Sequence, residues 1–118
     1  MAKSKRTRSA APETPVTRGS GNVYADLGFE HPEEELAKAQ LAIMIDDVIR
    51  ERRLAQRAAA KLMRIDQPKV SHILHGRLGG FSLERLLDFL TALGRDVDIV
   101  VRPSPKSRKH GRLRINAA

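Results

Sequence analysis

From residue 32 to residue 93 apolar residues recur at helical spacing, interrupted where the chain has to turn. His31-Pro32 followed by Glu33, Glu34 and Glu35 reads as a helix start. Proline loses nothing where no N–H is needed, and the carboxylates face the positive end of the helix dipole. Leu41, Ile45, Val48 and Ile49 supply a core stripe and predict a helix running to about Arg53. Leu36 and Ile43 lie partly off that stripe, so this helix is either buried on two sides or in contact with a second chain. Two short helices follow, Gln56–Met63 and Gln67–His75, with Met63-Arg64-Ile65 as the turn between them. Ala60 offers a small residue where the second helix can cross closely. Asp66 is a good N-cap with Pro68 in the first turn, Val70, Ile73 and Leu74 share one face, and Gly76 ends the helix.

A further helix is predicted from Ser82, as N-cap, to about Leu93, with Gly94 closing it. Its Leu83, Leu86, Leu87, Phe89, Leu90 and Leu93 are too many for one lightly covered face, and they form either core or, in part, a dimer face. Ahead of the helices, Val23, Tyr24, Leu27 and Phe29 predict a short turn docked on the domain. Beyond them, Asp96–Arg102 (DVDIVVR) changes to β-branched character and predicts a strand that Pro103 stops. One strand has no mate elsewhere in the chain, and an unpaired edge invites pairing with a second copy. Val97, Ile99 and Val101 are therefore the expected dimerisation residues. Leu113–Ile115 is a candidate for another short strand.

Helix 67–75 carries chemistry on its outer face. Gln67, Lys69, Ser71, His72 and His75 all hydrogen-bond or carry charge, and so rich a face on so short a helix needs a partner surface. Charge placement points the same way. The net +8 is spread unevenly: residues 50–77 hold Arg50, Arg52, Arg53, Arg57, Lys61, Arg64, Lys69 and Arg77 against Glu51 and Asp66. Residues 22–49 reverse the sign, with Asp26, Glu30, Glu33, Glu34, Glu35, Asp46 and Asp47 facing only Lys38. Basic charge concentrated on the two-helix unit favours a polyanion, with duplex DNA the leading candidate. Residues 1–21 and 103–118 are basic, aperiodic stretches and are expected to be a disordered N-terminal tail and a flexible C-terminal tail around a domain at 22–102.

Several function classes fall away. The 118 residues include no cysteine, so there is no disulfide scaffold and no thiolate metal site, which suits a reducing compartment. Aromatic residues make up 3%, too few for a base-stacking platform. No apolar run approaches the roughly 20 residues a membrane helix needs. Ser71 beside His72 is not a nucleophile–base pair, because adjacent helix residues point apart. His72 and His75 stand without a neighbouring carboxylate or thiolate, so no metal is expected. The chain is read as having no enzymatic activity and no cofactor.

In its order of helix, short helix, turn, reading helix and closing helix, the chain resembles the Xre/Cro-type helix-turn-helix proteins. Gln56 sits where that family places a glutamine against a phosphate, Ala60 at the helix crossing, and Ile65 at the apolar turn position. Gln67-Pro68-Lys69-Val70-Ser71 follows the pattern of the reading helix. Two residues depart from it: Arg64 stands where glycine is usual, and Ala59 is smaller than the usual leucine. The resemblance implies an all-α bundle of about four to five helices with a short C-terminal β-strand. From the exposed side of the reading helix, base contacts are expected from Gln67, Lys69, Ser71 and His72, and phosphate contacts from Gln56, Arg57, His75 and Arg77.

A narrower resemblance covers residues 22–102. NVYADLGF, ELAKAQLA and FSLERLLDFLTALGRDVDIVVRP look like small antitoxins of the HigA kind, encoded beside mRNA-cleaving toxins of the RelE/HigB class. That resemblance implies a homodimer that represses its own operon and neutralises such a toxin, in the cytoplasm and associated with the nucleoid. Glu33, Glu34 and Glu35 would then meet a basic toxin surface, although they also read simply as a helix-dipole complement. The alternatives are a stand-alone repressor without a toxin and, in a different class, a nonspecific RNA- or ribosome-associated basic protein.

Overall fold

The computed structural model describes residues 22–28 and 30–118; the N-terminal tail at 1–21 and Phe29 lie outside the described residues. The order is α1 (Val23–Asp26), α2 (Pro32–Glu51), α3 (Gln56–Met63), α4 (Gln67–Leu74) and α5 (Leu83–Ala92). Helix α2 is the spine: it packs against α1, α4 and α5, while α3 packs against α4 and α5. Ile45, Val70, Leu86 and Leu93, from α2, α4 and α5 with its cap, are completely buried. Each such side chain contributes about 1.5–3 kcal/mol relative to leaving it in water. Leu36 is half-buried, whereas Ile43 stays 61% exposed, so α2 is covered on the sides that meet its own chain and open at Ile43.

The helix ends show why the chain turns where it does. Helices α2 to α5 all terminate with one residue at positive φ, followed by a residue whose N–H reaches back to the carbonyl five residues earlier. Thus Leu54 N–H donates to the Ile49 carbonyl, Ile65 to Ala60, Arg77 to His72 and Arg95 to Leu90. The left-handed residue is glycine at Gly76 and Gly94 but arginine at Arg53 and Arg64, with φ of 55° and 61°. A side chain in that conformation costs roughly 1 kcal/mol. The expected departure at Arg64 is therefore present in the backbone. Leu54 and Ile65 offset part of that cost by packing against the core just after the turn.

Ser82 caps α5 as expected, its Oγ accepting from the Arg85 N–H at 3.1 Å. Asp66 stands at the N-cap position of α4, but its side chain makes no cap hydrogen bond. Its backbone does the work, the carbonyl accepting from the Lys69 and Val70 N–H groups. At the other end of the domain Asn22 caps α1 through its Oδ1, and its Nδ2 donates to the Pro32 carbonyl at 3.0 Å. That bond fixes α1 against the start of α2. Val23 and Leu27, expected to dock inward, are instead 57% and 69% exposed. Val23 and Leu27, four residues apart, share the side of α1 that faces away from the domain.

The predicted C-terminal strand at 96–102 does not form, and no strand is found among the described residues. A strand exists only through ladder hydrogen bonds to a neighbour, and neither this segment nor Leu113–Ile115 has one among the described residues. Val97 is half-buried against the core, while Ile99, Val100 and Val101 are 77%, 73% and 91% exposed. Ile115, far along the basic C-terminal stretch, also packs against the core cluster.

Candidate nucleic-acid interface

Helix α4 divides cleanly into two faces. Val70 and Ile73 are buried with Leu74 at their edge, which holds the helix against α2 and α3. Gln67, Lys69, His72 and His75 are exposed, and Ser71 is half-buried between the faces. Gly76 ends the helix at φ 76°, and the chain turns away so that Arg77 stands exposed beside the last turn. The structure thus brings together every residue expected to touch base edges.

His75 is oriented by its own helix. Its Nδ1 lies 2.7 Å from the Ser71 carbonyl oxygen and 3.3 Å from Ser71 Oγ. A carbonyl only accepts, so Nδ1 carries the proton, and in the neutral ring Nε2 is left as an acceptor. A phosphate oxygen also only accepts. Contact between His75 and a phosphate therefore requires the doubly protonated ring, whereas the neutral ring suits a donor.

Helix α3 supplies the flank. Ala55 at its N-cap has no side chain able to cap, so the first N–H groups of α3 are left for solvent or an anion. Gln56 is half-buried at that opening and Arg57 is exposed beside it. An open groove of about 720 Å³ runs over Ala55, Ala58 and Ala60, with Arg57, Lys61 and Gln67 along it. The small floor residues let the start of α4 and the cationic side of α3 share one surface.

The basic charge sorts into structural and free cations. Arg50 is bound to Asp46 at 3.0 Å, and this contact raises its pKa, first by the hydrogen bond and then by the charge. Arg52 donates from Nη1 to the Leu93 carbonyl at 2.8 Å, capping the end of α5, and Arg95 pairs with Glu51. In contrast, Arg57, Lys61, Arg64, Lys69 and Arg77 are exposed and make no hydrogen bond or ion pair among the described residues. Lys61 and Arg64 were not among the expected contact residues. Helical spacing from Arg57 was the signal for Lys61; only the left-handed turn reveals where Arg64 points from.

Over residues 23–102 the chain matches the helix-turn-helix domain family. A solved structure described as an XRE-family transcriptional regulator is 46% identical, covers 73% of this chain and 97% of its own, and superposes with a TM-score of 0.68. The chain belongs to the XRE-type helix-turn-helix family. No curated protein matches it. In this XRE-family protein α3 and α4 are the helix-turn-helix pair, and Arg64 occupies its turn.

The other expected sites are dispersed. Glu33 is exposed at the start of α2, whereas Glu34 and Glu35 lie 3.9 and 4.0 Å from the ammonium of Lys38, which is only 7% exposed. Lys38 thereby offsets part of the acidic charge at that end. No group of three or more potential metal ligands occurs among the described residues, and none of their helices is long and apolar enough to cross a membrane.

Proposed function

We propose that this XRE-family protein binds a double-stranded operator through α4 and represses its own operon as a homodimer. The observation that carries the reading is the polar outer face of α4 framed by five cations that have no partner among the described residues. A polar helix face of this size fits the major groove, where base edges present a distinct donor and acceptor pattern. Gln67, first on α4, suits a bidentate contact to adenine, with His72 further along the same side and Lys69 and Ser71 between them. Gln56, Arg57 and Arg77 hold phosphates and set the position of the helix without reading sequence, joined by His75 in its doubly protonated form. Lys61 joins them through the groove it shares with Arg57 and Gln67.

Footprinting on the DNA upstream of the protein's own coding sequence tests the reading. Two protected half-sites about 34 Å apart are expected for a two-fold dimer. Protection without sequence preference in excess competitor DNA would refute it. Arg77→Ala should weaken binding to all sequences alike and lower the slope of log affinity against log salt by about 1. An unchanged slope would remove Arg77 from the phosphate contacts.

We propose in addition that the acidic end of the chain neutralises a basic, mRNA-cleaving toxin of the RelE/HigB class. Support comes from the separation of charge, since Glu33 stands exposed in an acidic segment while the cations gather on α3 and α4. A small basic protein that copurifies stoichiometrically and stops growth when produced alone is the expected result. Glu33→Lys combined with Glu34→Lys and Glu35→Lys should weaken that complex. Operator binding with no copurifying partner would leave a stand-alone repressor.

A further inference from the structure

Beyond Pro103 the chain returns to the domain. Val97 and Ile115 both pack against the core cluster, so the stretch between them is a loop held at both ends. A turn within it, closed by the Arg108 N–H donating to the Pro105 carbonyl at 3.1 Å, brings Lys106, Arg108 and Lys109 close together. Residues 103–118 carry five cations, Lys106, Arg108, Lys109, Arg112 and Arg114, and no acidic side chain. Lys106, Lys109, Arg112 and Arg114 are exposed, and their side chains make no hydrogen bond or ion pair among the described residues.

A solvated basic tail would not be arranged in this way. Closing a loop around like charges is opposed by chain entropy and by repulsion, and the burial of Ile115 is what holds it closed. Arg108 adds a second observation. It is half-buried, and its Nη1 is shielded from water with no hydrogen-bond partner among the described residues. Guanidinium nitrogens only donate, and a shielded donor without an acceptor is destabilising. With four further cations in the same loop, the acceptor that suits Arg108 is an anion.

We propose that the loop 103–114 is a second DNA-contacting element, an arm that holds phosphates of the duplex beside the site read by α4. The proposal rests on the duplex-binding reading above and extends it past the helix-turn-helix pair. The loop has no Phe, Tyr or Trp to stack on unpaired bases, as a single-stranded partner would require. Its only large apolar side chain is Leu113, too little to anchor a protein interface. Phosphate contacts carry no sequence information, so the arm adds affinity for every duplex and leaves discrimination to α4.

Anisotropy titrations over a salt series, on the operator and on a scrambled duplex of equal length, test the arm. Lys106→Gln combined with Lys109→Gln and Arg112→Gln removes three exposed charges. It should lower the slope of log affinity against log salt by about 2–3 on both duplexes and leave the ratio of their affinities unchanged. Ile115→Ser keeps every charge but releases the anchor. It should weaken both duplexes by roughly tenfold, and add nothing in the triple-glutamine background. A loss caused by damage to the fold would persist in that background, so the cycle separates the two, and urea unfolding of each variant checks stability independently.

An unchanged salt slope for the triple variant would overturn the proposal. So would a loss on single-stranded RNA of the same length with none on the duplexes, or an Ile115→Ser effect that is absent or equal in both backgrounds. Failure of the operator reading looks different: the wild-type chain would then bind operator and scrambled duplex equally, while the triple variant still lowered the slope on both.

Discussion

Helices α3 and α4 bury Ala59, Met63, Val70 and Ile73 against the rest of their own chain, whereas the segment 96–102 leaves Ile99, Val100 and Val101 almost bare. Both regions carry regular apolar spacing, and both follow a helix closed by a left-handed residue. They differ in where the complementary surface lies. The helix pair finds it in α2 and α5, so its apolar side is satisfied and its polar side is left over for something else. The segment after α5 finds none among the described residues, so its apolar side is what is left over. An unused polar face suits a polyanion, and an unused apolar edge suits another edge.

Mutations that strike only one of the two regions sharpen this contrast. The largest effect is expected from Leu86→Ala in α5. That side chain is fully buried, and its truncation should cost about 2–5 kcal/mol in urea unfolding. A loss below 1 kcal/mol, on the scale of surface changes, would mean the bundle does not depend on this core. Next comes Arg64→Gly in the turn, which relieves a left-handed side chain and should stabilise the domain by roughly 1 kcal/mol. For a domain of this size that corresponds to a rise in Tm of about 4–8 °C. If Arg64 also touches a phosphate, the same change lowers DNA affinity while raising stability, and comparing the two readouts separates the roles. The smallest effect belongs to Ile99→Ser. Measured at dilutions where the chain is monomeric, it should alter stability by less than about 0.5 kcal/mol, as for other exposed positions. A larger loss would show that Ile99 is held by its own domain, and the contrast would collapse.

The helices were legible because their signals are local. The spacing of Leu41, Ile45, Val48 and Ile49, the cap at Ser82 and the glycines at 76 and 94 each act within a turn or two of chain. The outer face of α4 was legible for the same reason: burying Val70 and Ile73 forces Gln67, Lys69 and His72 outward. What needed coordinates was long-range. Nothing local announces that Arg52 spends its charge on the Leu93 carbonyl, forty-one residues away. Lys38 stands at ordinary helical spacing from Glu34 and Glu35, but that it is buried there is visible only in the packing. The strand expected at 96–102 failed for a related reason. β-branched residues state a preference, and only a second backbone can satisfy it.

Reading of base edges by α4 is tested most directly by an anisotropy titration of wild type and Gln67→Ala against the footprinted operator and a scrambled duplex, at fixed salt. Gln67→Ala should lose about 1–3 kcal/mol on the operator and retain its affinity for the scrambled duplex. Equal affinity of the two proteins for the operator, or equal losses on both duplexes, would contradict it.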